Sequence, residues 1–280
     1  MKTITAHNGV PIPNFMYGTA WKKEDTDRYV QAAVHAGFRA IDTANQLIHY
    51  HEAQAGEALL SLAKQGISRD QLFVQTKFTP VSGQDHRTPY DPMAPVGEQV
   101  AQSFERSLEH LHTDFIDSYI LHGPYGRWEL EKEDWEVWTA LENLYQSGRV
   151  KMIGISNVQA IQLQLLCELA NVKPMVVQNR CYAALGWDRT VRELCRDHDI
   201  VYQGFSLLTA NRGVVQNPEV GAIAERCNTG PAQVIFRFAQ QVGMLPITGT
   251  TNTQRMKDNL DIDRVELTEE EIARIETIAV

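Results

Sequence analysis

Asp42, Lys77 and His122 each stand at or just past the end of a short apolar run, and Tyr50 follows in the loop after the first. The runs are Phe38–Ile41, Leu72–Thr76 and Phe115–Leu121, and their length and composition read as buried parallel strands. In a barrel of parallel strands, residues just past the carboxyl ends converge on one mouth. An acid, a phenol, an ammonium and an imidazole gathered there can move a proton at neutral pH. A phenol ionises near ~10 and is a poor acid at pH 7, but a neighbouring ammonium stabilises the phenolate and brings that value down. Lys77 can be that ammonium, and Asp42 within about 4–6 Å would keep it charged. Neutral His122 can orient a polarised oxygen without adding charge. The set is a general acid aimed at an oxygen, which carbonyl reduction requires. Singly, each residue also suits a duller role: a structural ion pair, a surface aromatic, a strand-end histidine. The four together at strand ends point to a site.

The elements that must position them alternate along the chain. After a hairpin turned by Asn8-Gly9, candidate strands are Asn14–Tyr17, Arg39–Asp42, Phe73–Thr76, Ile116–Leu121, Met152–Ile155, Met175–Gln178, Val201–Gly204 and Met244–Pro246. Amphipathic stretches separate them: Thr26–Ala36, Ala53–Gln65, Val96–Leu111, Trp135–Ser147, Val158–Leu169, Arg189–His198 and Pro231–Gln241, with Leu267–Ile278 as a final outer helix. Eight strands alternating with helices predict an α/β fold, a closed (β/α)8 TIM barrel, in one domain over residues 1–280. No Gly-x-Gly-x-x-Gly follows any strand, which disfavours a dinucleotide-binding open sheet. The Pro-rich segment Thr79–Pro95 should overhang the mouth.

Composition narrows the function. A chain of 280 residues with 43 % hydrophobic content can bury a large core. A net charge of −9 without a sustained Lys/Arg patch argues against nucleic acid and anionic membranes as partners. Met1–His7 has no apolar signal region and no run approaches a membrane span, so a cytoplasmic protein is expected. Cys167, Cys181, Cys195 and Cys227 lack metal-ligand spacing and read as reduced packing thiols, and no metal is expected.

Several short motifs, in order and over nearly the whole chain, resemble the aldo-keto reductase superfamily. Gly18-Thr19-Ala20-Trp21 is similar to that family's first strand end, Asp42-Thr43-Ala44 to its aspartate motif, Thr76-Lys77 to its lysine strand, and Leu121-His122-Gly123-Pro124 to its His-x-Pro turn. The resemblance implies a nicotinamide cofactor whose carboxamide is held by Ser156, Asn157 and Gln178 and whose ring stacks on Phe205, with Gly18, Thr19, Ala20, Asp42, Ser206 and Leu208 around it. It places the adenosine 2′-phosphate and adenine at Gly249, Thr250, Thr251, Arg255, Asp258 and Asn259. NADPH is the implied cofactor, with NADH less strictly rejected, and Asp42, Tyr50, Lys77 and His122 are the implied catalytic set.

Departures from the family pattern mark what is particular to this chain. The tyrosine usually lies five residues after the aspartate and three before a glutamate; here those positions hold Leu47 and His49, and the segment from Asp42 to Glu52 is two residues longer. Tyr50 is the phenol of that loop, in an Asn-Gln-x-x-His-Tyr wording that resembles a less-studied branch. His49 and His51 flank it as solvated loop residues or as partners in proton relay. The clamp segment Pro246–Asn252 lacks the usual lysine, leaving Arg255 and hydroxyls for a phosphate. Asn179-Arg180-Cys181-Tyr182 replaces the usual Glu-x-His-Pro, so a buried contact there must differ. The sequence stops at Val280 without the long tail that often walls the pocket, which implies broad substrates. Trp21, Phe78 and Trp128 are candidate walls for an apolar small-molecule carbonyl substrate. Two other readings stay open: a Schiff-base aldolase using Lys77, which Asp42 should oppose by keeping the amine charged, and a cofactor-sensing regulatory subunit with little turnover.

Overall fold

The structure, a computed structural model, describes residues 2–279; Met1 and the terminal Val280 lie outside them. The chain turns back at Gly9, whose φ of +85° glycine adopts at little steric cost. β1 (Thr3–Thr5) thereby pairs antiparallel with β2 (Pro11–Pro13), the hairpin expected from Asn8-Gly9. The Asn8 amide donates to Lys151 O at 2.9 Å and His7 Nε2 lies 3.2 Å from Pro174 O. These are residues at the starts of barrel strands, so the hairpin lies at the amino-terminal end, away from the mouth.

Eight parallel strands follow: β3 (Met16–Gly18), β4 (Ala40–Asp42), β5 (Phe73–Phe78), β6 (Ile116–Leu121), β7 (Val150–Ser156), β8 (Val176–Arg180), β9 (Val201–Phe205) and β10 (Met244–Thr248). They close in chain order, with β10 pairing β9 on one side and β3 on the other. This is the (β/α)8 TIM barrel expected from the alternation of runs. Six strands extend past the runs that announced them, to Gly18, Phe78, Ser156, Arg180, Phe205 and Thr248. There the backbone pairing continues one or two residues beyond the run, which side-chain type alone does not report.

The helices are α1 (Thr26–Ala36), α2 (Glu52–Lys64), α3 (Val96–Leu111), α4 (Lys132–Gln146), α5 (Ala160–Leu169), α6 (Arg189–Asp197), α7 (Arg212–Val215), α8 (Pro218–Arg226), α9 (Pro231–Gln241), α10 (Thr253–Leu260) and α11 (Glu269–Thr277). Local chemistry fixes several starts. Asn217 caps α8 ahead of Pro218, Pro231 opens α9, and Thr268 with Glu271 forms a capping box on α11. α7, α8 and α10 were not expected as elements: α7 is four residues long, and α10 buries only Met256 and Asn259, too few apolar positions to set a period. Among the described residues no helix is long and apolar enough to cross a membrane.

One close approach connects the barrel wall to the mouth. A Cβ on Gly154 of β7 would lie 2.3 Å from Val176 O and 2.4 Å from Val176 Cγ2 on β8, and two residues later β7 ends at Ser156. Gly154→Ala should therefore force the two strands apart and cost roughly 3 kcal/mol or more, as overpacking against backbone does. The check is the midpoint of denaturant unfolding at unchanged slope; an unmoved midpoint would show that β7 and β8 part freely.

Candidate active site

The floor of the mouth is a buried ion pair set in a layer of amides. Lys77 on β5 has no exposed surface, and its Nζ donates to Asp42 Oδ1 at 2.7 Å and to Thr43 O at 2.8 Å. Asp42, the last residue of β4, takes two further donors on the same oxygen, Gln75 Nε2 at 2.8 Å and Gln178 Nε2 at 2.9 Å. Gln203 Oε1 accepts from both glutamines at 2.7 and 3.0 Å, and Gln203 Nε2 and Ser118 Oγ donate to Gln75 Oε1 at 3.0 and 2.8 Å. Strand register puts these residues level: Asp42 faces Gln75, Gln75 faces Ser118, and Gln178 faces Gln203. Sequence reasoning identified Gln178 here but neither Gln75 nor Gln203; a glutamine inside an apolar strand run was the available signal, since a buried amide demands partners.

Above this floor the structure brings Tyr50 and His122 together. Their rings meet edge to face with centroids 5.8 Å apart, and Lys77 Nζ lies 5.2 Å from the centre of the Tyr50 ring. Burial holds the His122 imidazole down at about 3, with the Lys77 and His49 charges adding to the effect. It is neutral at physiological pH, as the sequence implied. The phenol departs from expectation. Burial first, and the Asp42 carboxylate second, push Tyr50 above its ordinary value, because Lys77 spends its described hydrogen bonds on Asp42 and Thr43 and meets Tyr50 through the ring. Burial pulls Lys77 below its ordinary value, opposed by Asp42. A fully buried Nζ already bonded twice has no path to a carbonyl carbon, which disfavours the Schiff-base reading.

Three loops hold this pair. His122 follows β6, its Nδ1 lies 2.7 Å from Thr79 Oγ1, and its carbonyl accepts from Asn157 Nδ2 at 2.8 Å. The segment 79–95 lies against the Tyr50 loop: Gln46 Nε2 donates to Gly83 O at 2.8 Å, Gln84 Nε2 to Asn45 O at 2.9 Å and Arg87 Nη2 to Leu47 O at 3.1 Å. On the other flank Trp21 N donates to His49 O at 2.7 Å, and the Trp21 and His49 rings sit 4.3 Å apart. His49 is half-buried and its pKa lowered by that burial; His51, also half-buried, immediately precedes α2.

The residues expected to hold a cofactor fall into two groups. Ser156 Oγ donates to Gln178 O at 2.6 Å and accepts from Asn157 Nδ2 at 3.2 Å. Asn157 Oδ1 and Gln178 Oε1 have no partner among the described hydrogen bonds, so both can receive an amide N–H. Asn157 and Ser206 both take positive φ, 54° and 58°, and Phe205 and Leu208 are half-buried beside them. Asn179 supplies the altered buried contact: it accepts from Val158 N at 3.0 Å and donates to Val158 O and Asp188 Oδ2 at 2.8 and 2.9 Å, pinning the residue after Asn157. At the β10 end Gly249, Thr251 and Arg255 are exposed and Thr250 and Asp258 half-buried. The Arg255 guanidinium has no described ion pair.

Two residues expected at the cofactor also carry structural contacts. Thr19 is fully buried, with its N and Oγ1 both on Asp42 O at 2.9 and 3.0 Å; it fixes β3 to β4. Asn259 is 3 % exposed on the inner face of α10, its amide shared between Gln233 Nε2 at 2.9 Å and Thr248 Oγ1 at 3.4 Å. Gly18 is buried in β3 and Ala20 half-buried just beyond it. A cation that sequence reasoning missed lies there: half-buried Lys22 donates from Nζ to Gly249 O at 2.5 Å and Ala20 O at 3.3 Å, bridging the ends of β10 and β3. Its place directly after Trp21 was the only signal.

Of the proposed walls, Trp21 and Trp128 are 68 % and 60 % exposed, Trp128 carrying the Arg127 guanidinium over its ring at 5.2 Å. Phe78 has no exposed surface; its ring packs 5.4 Å from that of Tyr90 behind the loop, because position 78 is the strand neighbour of Lys77 and faces outward. Among the described residues no cluster of three or more His, Cys, Asp or Glu side chains could hold a metal.

Known proteins resemble the chain over nearly its full length. The family described as "Aldo/keto reductase family" matches residues 14–280. The chain is 33 % identical to a 9,11-endoperoxide prostaglandin H2 reductase of Trypanosoma cruzi, covering 98 % of this chain and 90 % of that one. It is 32 % identical to a glyoxal reductase of Bacillus subtilis over 99 % and 92 % of the two chains. The crystal structure of an aldo/keto reductase from Brucella melitensis superposes with a TM-score of 0.84 at 28 % identity, covering 100 % and 99 %.

A histidine held near 3 when folded and near ~6.5 when unfolded makes the unfolded state bind more protons between those values. Its contribution to stability is therefore present above about pH 6.5 and lost as pH falls toward 3. Unfolding of the wild type should lose more stability between pH 6.5 and 4.5 than unfolding of His122→Gln, measured as the difference in denaturant midpoints. Equal losses would show that the imidazole is not held neutral by its site.

Proposed function

Because this chain belongs to the aldo/keto reductase family, we propose that it is a single-domain cytoplasmic enzyme that reduces aldehyde and ketone carbonyls to alcohols with NADPH, and less strictly NADH. The observation that carries this reading is the Tyr50–His122 pair above the Asp42–Lys77 floor. Both groups over the floor are neutral, and both can donate a hydrogen bond to one carbonyl oxygen. A Tyr50 pKa raised by burial keeps the proton on the phenol until an oxygen with developing negative charge takes it. Neutral His122 orients that oxygen without competing for the proton.

The donor set suits a nicotinamide. Asn157 Oδ1 and Gln178 Oε1 are free to accept from a carboxamide N–H, and half-buried Phe205 offers a ring face. When bound, the cofactor supplies hydride to the carbonyl carbon. Lys22 and Arg255, with the Thr253 and Gln254 N–H groups that the Asn252 cap leaves free at the start of α10, offer charge and hydrogen-bond donors to phosphates. The free cysteines, three of them buried, fit a reducing compartment.

Tyr50→Phe should bind NADPH normally in fluorescence titrations and lower turnover of aldehydes by about 10²- to 10⁴-fold, the span of a lost general acid. A mild Tyr50→Phe beside a crippled His49→Ala would put the acid at His49. Arg255→Ala should weaken NADPH by about 1.5–3 kcal/mol and leave NADH nearly unchanged, the loss shrinking as salt rises. Parallel losses for both cofactors would show that Arg255 does not read the 2′-phosphate.

A further inference from the structure

We infer that Thr79 is a positioning residue: its hydroxyl donates to His122 Nδ1 and so fixes the imidazole tautomer that presents Nε2–H to the mouth. The distance of 2.7 Å between Thr79 Oγ1 and Nδ1 fits either direction of donation. Hydrogen-bond accounting selects one. Thr79 is 3 % exposed, and its hydroxyl has no other partner among the described hydrogen bonds. If Nδ1–H donated to the hydroxyl, the buried hydroxyl hydrogen would have no acceptor among the described hydrogen bonds, an expensive state. With the hydroxyl donating, its hydrogen and the Nδ1 lone pair are both satisfied.

The hydroxyl cannot turn away to look for another acceptor. An ideal Cβ on Gly83 would lie 2.7 Å from Thr79 Cγ2, so the methyl packs against a glycine that leaves room for it and little else. A β-branched side chain so wedged keeps one χ1 rotamer. The backbone is held as well, since Thr79 O accepts from buried Tyr90 Oη at 2.7 Å and from Gln84 Nε2 at 3.4 Å. The ring nitrogen on the far side, Nε2, has no described partner, and Tyr50 stands at the ring's edge. An Nε2–H there can donate to a substrate oxygen, whereas the other tautomer would offer a lone pair and repel it. The first residue of the long loop 79–95 thus sets the chemical character of the mouth.

The inference rests on the carbonyl-reductase reading for its consequence but not for its test. In protein labelled with ¹⁵N-histidine, two-bond ¹H–¹⁵N correlations distinguish the tautomers, and comparison with His122→Gln assigns the signals. Wild type and Thr79→Ser should show protonated Nε2 and unprotonated Nδ1. Thr79→Val, which keeps the shape and removes the donor, should show Nδ1–H or a mixture. Thr79→Val should also lower kcat by about ten- to a hundredfold with NADPH binding unchanged, and Thr79→Ser should restore it. Nδ1–H in the wild type, or a wild-type tautomer in Thr79→Val, would overturn the inference. Should Thr79→Val not fold, the wild-type spectrum still decides the direction of the bond. Absence of turnover with every carbonyl compound would count against the proposed function while leaving the spectrum to decide this point.

Discussion

A carboxylate and an ammonium buried together inside a barrel are the constraint on which the rest of this molecule depends. Taking both charges out of water is costly, and their attraction offsets that cost only when the remaining lone pairs and protons are bonded. Asp42 meets the condition with three donors on Oδ1, and Lys77 with two acceptors. Each solution creates a new requirement. The Gln75 and Gln178 amides that serve Asp42 need partners of their own, which Gln203 and Ser118 provide. Five of the eight strands must therefore hold register to satisfy one ion pair, and losing a single partner would leave a charge stranded at a cost of about 3–5 kcal/mol.

The same pair sets the character of the two groups above it. The lysine charge pushes His122 further down and the aspartate charge pushes Tyr50 further up, each in the direction that burial already drives it. The pair is neutral in sum yet polar in arrangement, so it biases both groups toward their uncharged forms. Their placement then falls to loops. The Tyr50 loop is longer than the usual family spacing and is held through backbone carbonyls at Asn45 and Leu47 and through the Gln46 side chain, with Trp21 closing the other flank. Side-chain amides reaching for main-chain oxygens can hold a loop of unusual length without a core beneath it.

This division explains what was legible in the sequence. The strands that carry Asp42, Lys77 and His122 were readable because a parallel strand buried on both faces is a continuous apolar run; α1, α3 and α9 were readable from their period and flanking signals to the residue. The amide layer was not, since three glutamines on different strands have no pattern along the chain and acquire meaning only in register. The direction of the Tyr50 shift was likewise out of reach. It depends on whether Lys77 points at the phenol oxygen or at Asp42, which composition does not record. Thr19 and Asn259 show what a motif position leaves unsaid: each also turns polar atoms toward protein partners, as burial and hydrogen bonds alone reveal.

For an anionic cofactor held at the β10 end, the overall charge of the protein works against binding, and geometry decides how much. The net charge is −9, and at physiological salt fields from exposed charges fade within about 8 Å. What remains is local. Lys22 is half-buried, has no described carboxylate partner, and rests its ammonium on two carbonyl oxygens, while burial holds its pKa below the ordinary value. Carbonyl dipoles offset only part of the cost of holding that charge away from water. An arriving phosphate would supply the full countercharge that the carbonyls do not, so this lysine gains more from the ligand than an already paired one would. If a phosphate binds at that end, a clamp that lacks its usual lysine would still offer it a cation without a carboxylate partner, because Lys22 reaches the β10 end from the neighbouring strand end.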